Sequence, residues 1–171
     1  PYNGKKENQD VCFMHQDPAT NSMLLATFDG HGQYGHLVSR YFQRHLCESV
    51  VQHPSWVDDP AKAMRDCMLA REQELCQGRG VDTSLSGTTA VFALVRSDEL
   101  TVLNAGDSRL MLGVRDPRTG KVVPREVTID NKPDDPKEQA RIEAAGGRVW
   151  AMKYDDGVDG PARVWLANQN I

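Results

Sequence analysis

A carboxylate and an imidazole stand together at the end of an apolar run in LLATFDGHGQYGH, residues 24–36. Carrying a charge to the edge of a core costs several kcal/mol unless the group is paired or bound to a cation, so Asp29 requires a partner. Gly30 permits close backbone approach, and its carbonyl can serve as a second oxygen ligand beside the Asp29 carboxylate. His31 can present its ring to the same place, and a helix opening near Gln33 adds amides with no partner inside the helix. Taken alone, residues 29–32 are equally a turn with His31 exposed on it.

Two other stretches shift that balance. KKENQD (5–10) sets two lysines and an Asp-terminated polar cluster just before an apolar strand. LNAGDSRL (103–110) runs an apolar strand into Gly106 and Asp107, as the earlier run ends in Asp29. The four cysteines, Cys12, Cys47, Cys67 and Cys76, include no CxxC pair and have no His at zinc-ligand spacing. They are expected to be reduced thiols of the core.

The elements that must position these groups come in blocks. VCFMHQ (11–16) and SMLLATF (22–28) read as two strands, and DPATN between them makes a hairpin turn. From Tyr34, the apolar positions Leu37, Val38, Tyr41, Phe42, Leu46 and Val50 mark one face of a helix reaching about His53, with Pro54 as its stop. A second helix starts at DDPAKAM, where Asp59 can cap and Pro60 suits the first position. Ala63, Met64, Cys67, Met68 and Leu75 form its buried stripe, and residues 78–80 close it.

GTTAVFALVRS, ELTVLNAGDS, RLMLGVRD and VVPREVTI then read as the strands of an antiparallel meander. A third helix follows at DDPKEQARIEAAGG, with Asp135 as cap, Pro136 first, Glu138 at the capping-box position and Gly146 or Gly147 as the stop. GRVW and ARVWLA complete the strands. This order lacks the strict alternation of a parallel sheet, so the class is α+β, with antiparallel sheets and helices packed outside.

KKENQD, FDGHGQYGH, SGTTAVFAL, LNAGDSRL and KPDDPKEQARIEAAGGRV occur in the order and approximate spacing of the metal-dependent serine/threonine protein phosphatases of type 2C. The chain resembles that family over nearly its whole length. The resemblance implies a sandwich of two antiparallel β-sheets flanked by helices, with two Mg²⁺ or Mn²⁺ ions in a cleft at one end. Oxygen-only ligands suit such hard cations and not zinc.

Carried over residue by residue, the resemblance makes Asp29 the carboxylate that bridges both ions and Gly30 the donor of a backbone oxygen. Asp10 matches the acidic residue closing the N-terminal motif. Gln9 stands where many relatives have a Glu ligand, so the direct ligand is either Asp10 or a water held between the two. Lys5 falls where an arginine often grips the substrate phosphate, and Lys6 is the alternative; a lysine acts there as a point charge without a bidentate fork. His31 matches the general acid that protonates the departing Ser or Thr oxygen, and Asp107 an aspartate of a third, weaker metal site. The implied reaction is direct hydrolysis of phosphoserine and phosphothreonine in proteins by a metal-activated water, with no Cys or Ser nucleophile.

Composition bounds the rest. With 171 residues, 39% hydrophobic and 26% charged, the chain is one ordinary domain or most of one. The family pattern continues past ARVWLANQNI toward further strands and two more metal-binding aspartates, so residues 1–171 are expected to be the N-terminal part of a single catalytic domain. Alone, they are expected to bind Mn²⁺ weakly and to hydrolyse phosphopeptide near background. A net charge of −4 without clustered Lys and Arg argues against nucleic acid as a partner. No apolar run is long enough to span a membrane, and the default expectation is an intracellular monomer, cytoplasmic or nuclear, acting on phosphorylated proteins. The alternative is a regulatory pseudophosphatase using the same cleft without chemistry; retention of Asp10, Asp29, Gly30, His31 and Asp107 counts against it. A simple cation-binding domain is disfavoured because DGHG lacks the dense acidic spacing of a calcium loop.

Overall fold

Alternation along the first two strands decides what each face of the main sheet carries. In the computed structural model, which describes residues 7–78, 80–153, 157 and 159–168, β1 (Asp10–Asp17) pairs antiparallel with β2 (Ser22–His31), Asp10 opposite Asp29 and Asp17 opposite Ser22. The expected hairpin forms, and β2 extends through the Asp-Gly-His run. The free edge of β2 is taken by β4 (Ala90–Arg96), which pairs in turn with β5 (Glu99–Ala105), while the short β3 (Gly87–Thr88) pairs with Gly30 and His31. The sheet order is therefore β1-β2-β4-β5, with β3 attached at the end of β2.

Because side chains alternate across a strand, the register puts Val11 and Phe13, Leu24, Ala26 and Phe28, Ala90, Phe92 and Leu94, and Leu103 and Ala105 on one face. These residues and the helices make the core. α1 (Gly35–Val51) contributes Val38, Phe42, Leu46 and Val50, and α2 (Pro60–Gln77) contributes Ala63, Met64, Cys67 and Leu75. α1 ends at Val51, before the expected His53: the chain closes into turns there, with the amides of Gln52 and His53 donating to Glu48 and Val50. α2 begins as expected, the Asp59 carboxylate accepting from the Lys62 amide at 2.9 Å with Pro60 in the first turn.

The loop between these helices is fastened to the sheet. Trp56 is 4% exposed and donates its indole N–H to Asp17 at 3.0 Å. Arg96 lies 5.2 Å from the centre of the Trp56 ring and donates to the carbonyls of Val57 and Trp56 at 2.7 and 3.0 Å. Cation, ring and backbone acceptors thus bind one loop to the ends of β1 and β4.

The expected meander is interrupted. β6 (Met111–Arg115) and β7 (Val122–Glu126) form their own two-stranded sheet, and β5 does not pair with β6 among the described residues. At Gly106, φ is +99°, so the strand ends there and the chain turns through Asp107. The cysteines also divide. All four are free thiols, but only Cys47 and Cys67 are buried; Cys12 and Cys76 are exposed, so the expectation of core thiols holds for half of them. Burial pushes the Cys47 thiol up to about 12, which keeps it protonated and inert.

The described residues up to Thr128 form one compact unit and those from Ile129 on a second. In the second, α3 (Pro136–Ala144) is capped by the Asp135 carboxylate, which accepts from the amides of Lys137 and Glu138 at 3.0 and 3.3 Å. The capping box is not completed: Glu138 is drawn into an ion pair with Arg141 one turn on. Gly146 follows with φ +83°, the stop the sequence led one to expect, and β8 (Arg148–Lys153) pairs antiparallel with β9 (Asp159–Trp165). Among the described residues no helix is long and apolar enough to cross a membrane. Antiparallel sheets with helices make this an α+β fold, as the element order implied.

Candidate functional site

The open end of β2 gathers the groups singled out in the sequence. Asp29 lies on the sheet face opposite Phe28, so its side chain leaves the helix-covered core while Gly30 is buried next to it. Across the ladder, Asp10 occupies the partner position. Directly opposed residues hold their Cβ atoms about 4.5–5.5 Å apart, so two carboxylates share one place.

The electrostatics follow. Partial desolvation pushes the Asp29 carboxyl above the usual carboxylate range; the charge of Asp10 and a hydrogen bond to it push the same way, and the charge of Asp107 adds to them. His31 alone pulls it down. Asp29 remains open to solvent as a residue, so this is a local effect of its partly desolvated carboxyl and of the like charges beside it. Asp10, Asp107 and His31 are thereby all within electrostatic reach of Asp29. The His31 ring lies over Gly87, where an added Cβ would come within 2.8 Å of Nε2.

Carboxylate oxygens in mutual repulsion, with no thiolate among them, are the donor set a hard divalent cation requires, and such a charge between them removes the repulsion. Asp10, Asp29 and Asp107 fit Mg²⁺ or Mn²⁺ in this sense. They do not make a complete shell: among the described residues, no three His, Cys, Asp or Glu side chains converge closely enough to hold an ion unaided.

Gln9 turns away from this cluster. Its Nε2 donates to the Gly32 carbonyl at 3.0 Å, and its own carbonyl accepts from the Gly30 amide at 3.2 Å and from Ser39 Oγ at 2.6 Å. Of the two neighbours weighed in the sequence, Asp10 is the one whose carboxylate stands beside Asp29. Lys5 and Lys6 lie outside the described residues.

The SGTTA run, to which the sequence assigned no task, builds the floor of the site. Ser86 Oγ accepts from the Tyr34 amide at 2.9 Å where α1 begins. Thr89 exchanges main-chain contact with Asp29, its amide donating to the Asp29 carbonyl at 2.9 Å, and its hydroxyl accepts from the Asp29 amide at 3.1 Å. That hydroxyl also meets Ser108 Oγ at 2.6 Å. The signal was present in the sequence as hydroxyl residues entering a buried strand, since a buried hydroxyl must find a partner.

A sequence model of the protein phosphatase 2C family matches residues 3–159. Among curated proteins, probable protein phosphatase 2C 35 of Arabidopsis thaliana is 31% identical over 186 residues, covering 98% of this chain and 52% of that protein. Probable protein phosphatase 2C 72 of the same plant is 35% identical over 178 residues, 96% of this chain and 52% of that one. Probable protein phosphatase 2C 75 of Oryza sativa subsp. japonica is 30% identical, covering 98% and 48%. The chain thus spans about half the length of these relatives.

Among solved structures, a serine-threonine phosphatase 2C from Toxoplasma gondii superposes with a TM-score of 0.72 at 22% identity, covering 91% of this chain and 56% of that one. The PPM Ser-Thr phosphatase of Mycobacterium smegmatis in complex with cacodylate gives a TM-score of 0.54 at 23% identity, covering 97% and 68%. At these identities the likeness is one of fold. The family match along most of the chain, and a fold shared with solved phosphatases, establish that this chain belongs to the protein phosphatase 2C family.

Proposed function

We propose that this chain takes part in the metal-dependent hydrolysis of phosphoserine and phosphothreonine in proteins, through a site built on Asp29, Asp10, Gly30 and His31. The observation that carries this reading is the placement of Asp10 opposite Asp29, with Asp107 and His31 close enough to act on the same carboxyl group. When bound, two Mg²⁺ or Mn²⁺ ions supply an acidified water and offset charge on the phosphoryl oxygens. Asp29, as the shared carboxylate, would hold the ions together with Asp10 and the uncharged oxygen of the Gly30 carbonyl, and Asp107 would serve a third, weaker site. Lys5 steadies the substrate phosphate as a point charge, and His31 delivers a proton to the departing serine or threonine oxygen.

The division of labour has a physical basis. Carboxylates facing one another gain most from a divalent cation, whereas an imidazole nitrogen can pass a proton to a departing oxygen. The test is phosphate release from a phosphothreonine peptide by the full-length protein carrying these residues, with Mn²⁺ and with chelator, beside its Asp29→Asn variant. Release that needs Mn²⁺ and is lost in the variant supports the reading. Release indifferent to both chelator and the substitution would overturn it.

A further inference from the structure

The side chains of Asp29 and Asp107 come from different places in the fold, one from the end of β2 and the other from the turn after β5. In the five-stranded sheet β2 and β5 are not neighbours; β4 lies between them. Something at the start of β4 must therefore set the spacing of the two carboxylates. Thr89, directly before β4, is 7% exposed and touches both sides. Its hydroxyl accepts from the Asp29 amide at 3.1 Å and meets Ser108 Oγ, one residue past Asp107, at 2.6 Å. Gly106, the residue before Asp107, approaches so closely that a Cβ there would come within 2.9 Å of Thr89 Cγ2.

We infer that Thr89 is a positioning residue for the cation site: the Thr89–Ser108 hydroxyl contact holds the Asp107 turn against the end of β2, and so fixes Asp107 relative to Asp29. A hydroxyl suits this task because it accepts and donates at once. With the Asp29 amide on one lone pair, Thr89 still has both a proton and a lone pair to share with Ser108, so one atom ties two chain segments. A valine of the same shape keeps the packing of the methyl against Gly106 and loses both hydrogen bonds. Thr89 is given no contact with substrate or cation in this reading. Its effect passes through Asp107, and that is what separates it from a residue that merely stabilises the fold.

This inference deepens the proposed cation site and rests on that reading. The experiment measures Mn²⁺ affinity directly, from the electron paramagnetic resonance signal of the free ion, in the full-length protein and in its variants. Melting temperatures without metal are taken alongside. Thr89→Val is expected to weaken Mn²⁺ binding at the weaker, Asp107-dependent site about tenfold, the low end for a lost partner behind a ligand, with Thr89→Ser close to the parent. Ser108→Ala, a change in a half-buried turn residue, is expected to shift affinity in the same direction. In the Asp107→Asn background, Thr89→Val should cause no further loss, because the group it positions is gone.

Unchanged Mn²⁺ affinity in both Thr89→Val and Ser108→Ala would overturn the inference, as would losses that add fully to that of Asp107→Asn. Either result leaves the cation site itself intact, since the parent still binds. A parent protein that binds no Mn²⁺ would overturn the cation site and this inference together.

Discussion

Gly30 and Gly35 pass so close that a Cβ on Gly30 would fall 2.5 Å from the Gly35 carbonyl oxygen and 2.8 Å from that of Gln9. The end of β2 and the start of α1 can touch only because neither residue carries a side chain. Both obstructing atoms are backbone, so nothing flexible can yield. Gly30→Ala is expected to cost about 1–3 kcal/mol, the range for forced overpacking, and to move Asp29 and His31 with the strand end. Chemical denaturation checks it; a variant within about 0.5 kcal/mol of the parent would contradict the close approach.

Asp10 and Asp29 oppose each other across an antiparallel ladder, a relation in which like charges destabilise the pairing. Asp29→Asn removes the repulsion without removing volume. Without metal, the variant is expected to be at least as stable as the parent, while Mn²⁺ binding and most turnover are lost. Thermal melts with chelator and with Mn²⁺ read both effects. A variant that is clearly less stable in chelator, or that Mn²⁺ stabilises as much as the parent, would sink the assignment.

His31 sits over Gly87 at the rim of the site and is exposed. As a proton donor to the leaving group it should matter in proportion to how much that group needs a proton. His31→Gln is expected to lower kcat about 10²- to 10⁴-fold on a phosphothreonine peptide and far less on an aryl phosphate, whose leaving oxygen is already stable. Equal losses on both substrates would mean that His31 orients the site without transferring a proton.

Asp17 offers a pH signature away from the site. Thr20 Oγ1 donates to its Oδ2 at 2.6 Å and Trp56 Nε1 to the same oxygen at 3.0 Å, and with the Ala19 amide these hold the carboxyl down at about 2 from an ordinary 3.8. A folded-state pKa below the unfolded value stabilises the fold above the unfolded value and loses that contribution as pH falls through the folded one. The melting-temperature gap between the parent and Asp17→Ala should therefore be constant above pH 3.8 and shrink between 3.8 and about 2. The variant also leaves the buried indole N–H of Trp56 without its acceptor. A pH-independent gap would show that the ionised carboxylate is not what those donors recognise.

Local chemistry makes much of this protein legible in its sequence. The β1–β2 hairpin followed from two alternating runs around a Pro-Asn turn, and the starts of α2 and α3 from Asp59-Pro60 and Asp135-Pro136, because caps and turns depend on residues within a few positions of one another. Asp29 was conspicuous as a charge at the end of an apolar strand. Pairing between distant strands was not legible. β4 pairs with β5 as a meander would, yet its other edge takes β2, and β5 ends at Ala105 without pairing with β6 among the described residues. No local rule distinguishes these arrangements, since the choice rests on which faces bury Phe28 against Phe92 and Phe42. The same holds within the site. That Gln9 turns to Gly32 while Asp10 faces Asp29, and that Thr89 joins the Asp29 strand to the Asp107 turn, are contacts across 23, 60 and 19 residues of chain. Residue types named the chemistry, and only packing of the sheet brought those groups to one place.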